Sequence, residues 1–378
     1  MSGVYIHIPF CKQACHYCNF HFSTSLKMKK EMIDAIVNEI ILTPFYNVVN
    51  EKIDTIYFGG GTPSILTIEE LQLILEKLQN KFKITPDAEI TLEANPDDIT
   101  TEKLVQWKKA GINRLSTGVQ SFLETELKWM NRAHNVTDAL NCIDAIKDAG
   151  YIDYSIDLIY GSPLLSNEDW KRNVSIIFEK NVPHISCYAL TVEPKTALDK
   201  MIAIHKKEPV DTEKQAEQFL ILMDWMKDAG YEHYEISNFS KPGMRSKHNS
   251  SYWQGKFYYG FGPSAHSFDG ASRRWNVANN SLYLQSLKQN TIPYEEEILS
   301  ATQKANEYIM TALRTMEGID LEKTAFAFGQ NIAEKILSES KKWQTGNKII
   351  LTQSKLILTR EGKLFADGIA ADLFITEK

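Results

Sequence analysis

The sequence has no long hydrophobic run, few cysteines and no excess of positive charge. None of its apolar stretches approaches the roughly 20 residues that a membrane-spanning helix needs. The N-terminal segment lacks the basic and apolar regions of a secretory signal peptide. These absences predict a cytoplasmic protein without a membrane span.

Cysteine is scarce, and its distribution argues against a disulfide framework. The chain has 5 cysteines, an odd number, and three of them cluster between Cys11 and Cys18. This pattern fits a reducing compartment. The formal net charge of −6 and the pI of about 5.9 argue against a nucleic-acid partner, which would require a basic surface.

The length and the periodicity predict an α/β fold. With 378 residues, of which 43% are hydrophobic, the chain can form one large domain and a smaller one. Amphipathic, helix-length segments separate six apolar, β-branched runs, and this alternation predicts βα units with a parallel sheet. Six units are too few for an eight-stranded barrel and suit an open, partial (β/α)6 barrel. The predicted strands are 4–8, 54–58, 88–94, 112–119, 153–160 and 184–191.

We expect three regions along the chain. Residues 1–240 form the partial barrel, and residues 241–296 form a connecting segment rich in loop formers and aromatics. Residues 297–378 read as helices followed by a small hairpin, which is typical of a winged-helix-like module. Because no basic stripe marks this module, we expect a lid or docking role for it.

The three clustered cysteines have the spacing CxxxCxxC and follow the first predicted strand. Thiolates favour zinc and iron-sulfur clusters over hard cations. Three ligands on a 4Fe-4S cluster leave one iron free to bind a substrate or cofactor. A zinc site completed by His7, His16 or His21 is the alternative, and so is a disulfide pair.

The segment YIHIPFC from Tyr5 to Cys11, the cysteine spacing and Tyr17 resemble the radical S-adenosylmethionine (SAM) superfamily, and within it the HemN/HemW branch. The resemblance implies that Cys11, Cys15 and Cys18 hold a 4Fe-4S cluster whose open iron binds SAM. HemN-type oxidases have a further cysteine where this chain has Phe20, and they carry an N-terminal extension, for which Cys11 lies too near the start. The pattern CxxxCxxCxF is similar to the HemW group.

The same resemblance implies a set of SAM-binding residues, most of which follow the predicted strands. The glycine run at 59–61 lets a ligand approach the backbone closely, although a plain tight turn would explain it equally well. Carboxylates suit the ammonium and ribose hydroxyls of SAM, and a guanidinium suits its carboxylate. The implied residues are Tyr5, Tyr17, Gly60, Gly61, Thr62, Glu93, Gln120, Arg132 and Asp157.

A second motif, HNxxYW, spans His248 to Trp253 and resembles the haem-binding motif of the HemW group. An imidazole can ligate haem iron, and Tyr252 and Trp253 can pack on the macrocycle. A histidine beside aromatic residues is more often a packed, hydrogen-bonded side chain. His266, in a later glycine-rich turn, is a second and weaker ligand candidate.

These features predict a haem-binding protein of the radical SAM fold, which delivers haem to haem-acceptor proteins, with respiratory haemoproteins as the expected acceptors. The alternative is an oxygen-independent coproporphyrinogen III oxidase. A radical SAM enzyme with an unrelated substrate is a third hypothesis. The sequence leaves open whether the chain is an enzyme, whether it is a monomer or a homodimer, and whether an acceptor brings it to a membrane surface.

Overall fold

One twelve-stranded sheet organises the chain in the computed structural model, which describes residues 2–44 and 52–376. Its first six strands lie side by side in chain order and run parallel. They are β1 (Ser2–Ile8), β2 (Lys52–Gly60), β3 (Lys83–Ala94), β4 (Arg114–Gln120), β5 (Tyr154–Tyr160) and β6 (His184–Ala189). The predicted α/β fold with six βα units is confirmed.

Helices connect these strands, and local sequence signals fix where several of them begin. At the start of the second helix, the Glu70 amide donates to the Thr67 hydroxyl (3.2 Å) and the Thr67 amide donates to the Glu70 carboxylate (2.8 Å). This is the capping box that the spacing of the two residues predicts. The helices are α1 (Lys29–Leu42), α2 (Ile68–Lys81), α3 (Thr101–Lys109), α4 (Glu124–Met130), α5 (Val136–Asp148), α6 (Asn167–Glu179), α7 (Ala197–Ala203) and α8 (Thr212–Asp228).

Side-chain alternation along β1 separates the hydrophobic core from the interior of the partial barrel. Val4, Ile6 and Ile8 are fully buried in the core, beneath the helices. Tyr5 and His7 point to the opposite face, because successive side chains of a strand alternate. The inner face of the sheet is therefore polar and aromatic, and it is the face that carries the candidate site.

Residues 241–296, treated as a connecting segment in the sequence, extend the same sheet in the structure. The strand at 257–261 pairs parallel with β1, and three further strands continue the sheet in antiparallel fashion. At the other edge, two short strands form a hairpin on β6. In chain order the elements are β7 (Glu232–Glu235), β8 (Asn238–Ser240), α9 (Lys247–Trp253), β9 (Phe257–Phe261), β10 (His266–Phe268), β11 (Ser272–Asn276), α10 (Asn280–Lys288) and β12 (Tyr294–Ile298).

The C-terminal module has its own small core and three-stranded sheet, in the winged-helix-like arrangement that the sequence predicts. None of the helices in residues 2–44 and 52–376 is long and apolar enough to cross a membrane. The elements of the module are α11 (Ala301–Leu313), β13 (Ile319–Asp320), α12 (Leu321–Phe328), α13 (Gln330–Thr345), β14 (Ile349–Thr352), β15 (Lys355–Leu358) and α14 (Ala366–Leu373).

The module docks on β7, which is an edge strand of the large sheet. The Arg314 guanidinium lies 3.0 Å from the buried Glu235 carboxylate, and Glu235 also forms a backbone bridge with Thr315. Lys363 Nζ lies 2.8 Å from His233 Nδ1, and burial lowers the pKa of this lysine to about 8. Edge strand and module are thus joined by backbone pairing and by buried polar contacts.

A buried carboxylate ties α1 to the sheet extension. Glu39 accepts hydrogen bonds from the Gly262 amide (2.8 Å), from Asn276 Nδ2 (2.6 Å) and from the Tyr283 hydroxyl. Burial raises the pKa of this carboxyl group to about 7, although the three hydrogen bonds oppose the shift.

We therefore predict that Glu39 makes folding stability fall as the pH rises from about 4.5 to about 7. The folded state holds the proton more tightly than the unfolded state, so unfolding releases it in this range. Each pKa unit is worth about 1.4 kcal/mol, and the residue should contribute a loss of roughly 3 kcal/mol. Denaturant unfolding of the wild type and of Glu39→Gln at several pH values measures the difference.

Glu31→Gln is the matched control, because Glu31 is exposed on the same helix. It should keep the pH dependence of the wild type, whereas Glu39→Gln should flatten it. Equal slopes for the wild type and Glu39→Gln would show that Glu39 stays ionised in the fold.

Candidate functional site

A cavity of about 420 Å³ lies at the carboxyl ends of the parallel strands. In open α/β sheets this edge is where ligands bind, because the loops that follow the strands meet there. Most of the residues that the sequence analysis assigned to the cluster and to SAM line this cavity. They are Cys11, Cys15, Tyr17, Cys18, Gly60, Gly61, Thr62, Glu93, Gln120, Arg132 and Asp157.

The three clustered cysteines are free thiols on a loop that closes back onto itself after β1. The Cys11 amide donates to the Ser23 carbonyl (3.0 Å), which brings the two ends of the loop together. The Thr62 hydroxyl donates to Cys11 Sγ (3.4 Å), and Arg132 Nη1 donates to Cys15 Sγ (3.2 Å). A hydroxyl donor and a guanidinium beside the sulfur atoms fit thiolates that ligate an iron-sulfur cluster.

The nearby histidines are engaged elsewhere. His7 bonds through Nδ1 to the Tyr5 hydroxyl (3.1 Å) and through Nε2 to the His21 carbonyl (2.8 Å). His16 donates to the Trp129 carbonyl (3.0 Å), and His21 Nε2 bonds to Asn280 (2.7 Å). Within the described residues, no group of three His, Cys, Asp or Glu side chains is placed to hold a single metal ion. Both ring nitrogens of His7 are thus engaged, so this histidine is not free to complete a zinc site.

Arg132 joins the cysteine loop to the end of β4. Its Nη2 donates to the Gly118 carbonyl (2.6 Å) and to Asn95 Oδ1 (3.0 Å), and its Nη1 lies 3.4 Å from the Tyr17 hydroxyl. Its Nε is buried, with no hydrogen-bond partner in the described part of the chain. A buried, unpartnered donor beside the cavity fits a ligand that carries a carboxylate.

Two half-buried carboxylates face the cavity from β3 and β5. Glu93 accepts a hydrogen bond from the Tyr57 hydroxyl (2.7 Å), and Asp157 accepts from Ser116 (3.4 Å) and Ser155 (3.3 Å). Burial, together with the charge of Asp157, raises the pKa of Glu93 to about 7, and burial also raises the pKa of Asp157. A cationic ligand would relieve both shifts, as the sulfonium and ammonium groups of SAM would.

The backbone supplies the rest of the cavity wall. A Cβ atom on Gly61 would lie 2.5 Å from the Phe10 carbonyl oxygen, so only glycine lets the chain directly after β2 pass so close to the cysteine loop. Gly60 has a φ of +107°, and Gln120 has a φ of +69° at an irregularity between β4 and β5. Such irregularities redirect side chains near sites, and Gln120 reaches the cavity from one.

Some cavity residues escaped the sequence analysis. Tyr57 lies on β2, two residues before the glycine run, and its interior position follows from simple alternation with Gly59. Others are polar or aromatic residues near strand ends, and nothing in their local pattern distinguishes them from surface positions. They include Asn95, Ser116, Ser186 and Tyr188, and α9 adds Asn249 of the HNxxYW motif.

The HNxxYW motif lies on α9, and its side chains point in different directions. His248 is buried, with Nδ1 2.8 Å from the Thr55 hydroxyl and Nε2 2.9 Å from the Tyr252 hydroxyl. Burial lowers the pKa of His248 to about 3, so the ring is neutral. Trp253 packs against the Arg314 guanidinium. Of the motif, only Asn249 lines the cavity.

His266 has a different environment. Its side chain is exposed on β10, with its ring 6.2 Å from the ring of Trp275. Among the described residues, its ring nitrogens have no hydrogen-bond partner. The second ligand candidate is thus accessible, whereas the first is enclosed.

We predict that each of Cys11→Ser, Cys15→Ser and Cys18→Ser abolishes the visible absorbance of anaerobically reconstituted protein, because a hydroxyl is a poor substitute for a thiolate on iron. Cys142→Ser is the control, since Cys142 is buried on α5 in the hydrophobic core. It should keep the absorbance. Cluster absorbance that survives in all three loop variants would remove the assignment.

Two family models match the sequence. The model described as Radical SAM superfamily matches residues 5–177, and the model described as HemN C-terminal domain matches residues 299–365. The first match covers the cysteine loop and the strands up to β5 with α6. The second covers most of the C-terminal module.

Curated relatives match over nearly the full length. The heme chaperone HemW of Bacillus subtilis is 32% identical over 372 residues, which cover 98% of this chain and 98% of that protein. The heme chaperone HemW of Escherichia coli is 30% identical over 396 residues, covering 99% and 98%. That of Mycobacterium tuberculosis (strain H37Rv) is 32% identical over 377 residues, covering 98% and 94%.

Among solved structures, coproporphyrinogen III oxidase (HemN) from Escherichia coli, a radical SAM enzyme, is similar with a TM-score of 0.84. The alignment covers 99% of this chain and 90% of that chain, at 20% sequence identity. At this identity the likeness shows the fold alone.

Proposed function

The chain belongs to the HemW family of radical SAM proteins, and on this basis we propose that it is a haem chaperone, which binds haem and delivers it to haem-acceptor proteins. The observation that carries the proposal is the similarity to curated heme chaperones along the whole chain, at 30% to 32% identity. The fold implies a 4Fe-4S cluster and SAM. In radical SAM proteins these groups together supply one-electron chemistry.

Different residues of the cavity would hold the cluster and SAM. Cys11, Cys15 and Cys18 would hold the cluster, with Arg132 beside Cys15 to balance negative charge. Glu93 and Asp157, which line the same cavity, would bind the positively charged and hydroxyl groups of SAM. Tyr17, Gly60, Gly61, Thr62 and Gln120 would shape the space between, with Tyr5 next to it.

Phe20 supports the chaperone over the oxidase. It stands at the position of the additional cysteine of HemN-type oxidases, lines the cavity, and is 68% exposed. Phe22 lines the same part of the cavity and is half-buried. Exposed aromatic rings of this kind offer an apolar contact surface for a flat macrocycle such as haem.

The two histidine candidates for the haem iron differ in the free energy that is needed to free the ring for ligation. Ligation by His248 requires its ring to release Tyr252 or Thr55, and an unsatisfied buried hydrogen-bonding group costs about 1–3 kcal/mol. His266 is exposed and requires no such release. We therefore propose His266 as the preferred ligand of the haem iron, with Trp275 beside the macrocycle. His248, with Tyr252 and Trp253, would bind haem only after α9 moves and the hydrogen bonds of the His248 ring break.

We further propose that the protein acts in the cytoplasm and that respiratory haemoproteins are among its acceptors. The five cysteines of the chain are free, which suits a reducing compartment. Phe20 and Phe22 would keep bound haem near the surface, where an acceptor can reach it.

Anaerobic haem titration of the cluster-loaded protein, followed through the Soret band, tests the proposal. We expect saturable binding to the wild type. His266→Ala should weaken it by about tenfold, which corresponds to roughly 1.4 kcal/mol, and should shift the band. His248→Ala should change the affinity less.

His205→Ala is the control, because His205 is exposed just after α7, and it should bind haem as the wild type does. Loss of binding in His248→Ala alone would move the ligand to α9. If the wild type binds no haem and converts coproporphyrinogen, the oxidase function replaces the chaperone function.

A further inference from the structure

A column of side chains runs from the cavity into the interior of the partial barrel. At its top, the Tyr57 hydroxyl donates to Glu93 Oε1 at 2.7 Å. Below it, the ring of Tyr57 stacks on the ring of His248, with centroids 5.0 Å apart and planes 21° apart. The Tyr252 ring then meets His248 edge-on, also at 5.0 Å. The column therefore links a cavity carboxylate to α9.

His248 is fixed from three sides, so it offers a firm support to Tyr57. Its two ring nitrogens bond to Thr55 and Tyr252, and its backbone amide donates to Glu89 Oε1 at 2.9 Å. Release of any of these contacts would leave a buried polar group unpaired. The ring thus has one stable orientation, with its face toward Tyr57.

Two glycines make room for this arrangement. A Cβ atom on Gly3 would lie 2.9 Å from the Thr55 hydroxyl and 3.2 Å from the His248 ring. A Cβ atom on Gly59 would lie 2.9 Å from the rings of both Tyr5 and Tyr57. Larger side chains at either position would push the column apart, so β1 and β2 are shaped around it.

Tyr57 determines how Glu93 meets a ligand. The hydroxyl holds Glu93 Oε1, and the Gly60 backbone also bonds to the carboxylate, so the group lines the cavity in a defined orientation. A hydrogen bond donated to the ionised form also favours that form, in a place where burial and Asp157 favour the neutral one. Without the hydroxyl, Glu93 would be less ordered and less often charged.

We propose that Tyr57 and His248 are positioning residues for Glu93, so that the HNxxYW motif supports SAM binding and not only haem. The proposal rests on Glu93 being a SAM ligand, as proposed above, and it does not depend on haem binding. It also explains why the HNxxYW motif on α9 lies so near the cavity without placing His248 in it.

The test is SAM affinity of the cluster-loaded protein, measured anaerobically by equilibrium dialysis and by the change that SAM causes in the electron paramagnetic resonance spectrum of the reduced cluster. Tyr57→Phe removes only the hydroxyl and should weaken SAM binding by about tenfold. His248→Gln removes the stacked ring and should weaken it in the same direction. Cluster absorbance should stay unchanged in both variants.

Tyr154→Phe is the matched control, because Tyr154 is a buried tyrosine of β5 in the hydrophobic core on the other face of the sheet. It should leave SAM affinity unchanged. An affinity in Tyr57→Phe within twofold of the wild type would overturn the proposal, and so would an equal loss in Tyr154→Phe.

A double-mutant cycle tests the route through Glu93. In a Glu93→Gln background, Tyr57→Phe should have much less effect than in the wild type, because the two residues act as a unit. Fully additive losses would overturn the proposal. Haem titration of the same samples keeps the two conclusions separate. Additive losses of SAM affinity together with intact haem binding would contradict only the positioning role.

Discussion

The parallel pairing of β1 with β2 is the constraint on which the site depends. The register places Tyr5 opposite Tyr57, His7 opposite Gly59 and Ile8 opposite Gly60. This pairing brings the cysteine loop, which follows β1, directly over the glycine run that ends β2. A slip of one residue would turn Tyr5 and His7 into the hydrophobic core and move the loop away from the cavity. The fully buried Val4, Ile6 and Ile8 oppose such a slip.

Much of the fold could be predicted from the sequence, because its main strands are strongly apolar and its helices carry recognisable caps. The six parallel strands, the capping box at Thr67 and the winged-helix-like module all follow from local patterns. The extension from β9 to β12 did not follow. These strands are three to five residues long, so each is too short to show a recognisable alternation of apolar and polar residues. Of these strands, only β9 pairs with β1, and β1 lies roughly 250 residues earlier in the chain, beyond the reach of any local signal.

The site divides in the same way. The cysteine triad can be recognised from its spacing alone. Most of the SAM-binding residues taken from the family resemblance line one cavity, because the ends of parallel strands converge. Tyr57 was missed, because an aromatic residue inside a strand reads as core. His248 shows the opposite difficulty. Its motif is visible in the sequence, but whether the ring faces a ligand or a hydrogen-bonded interior depends on Thr55, a residue of another strand.

The two edge strands of the large sheet, β7 and β12, have different surroundings. The β7 end is covered by the C-terminal module, which pairs with it through Glu235 and Thr315. The β12 end carries Glu295, Glu296 and Glu297 in succession. An uncovered strand is a template for pairing with another copy of the chain, and like charges brought together across such a contact repel each other. Because Glu296 is paired with Arg274, the charges of Glu295 and Glu297 are the ones that oppose pairing with another copy at the β12 end.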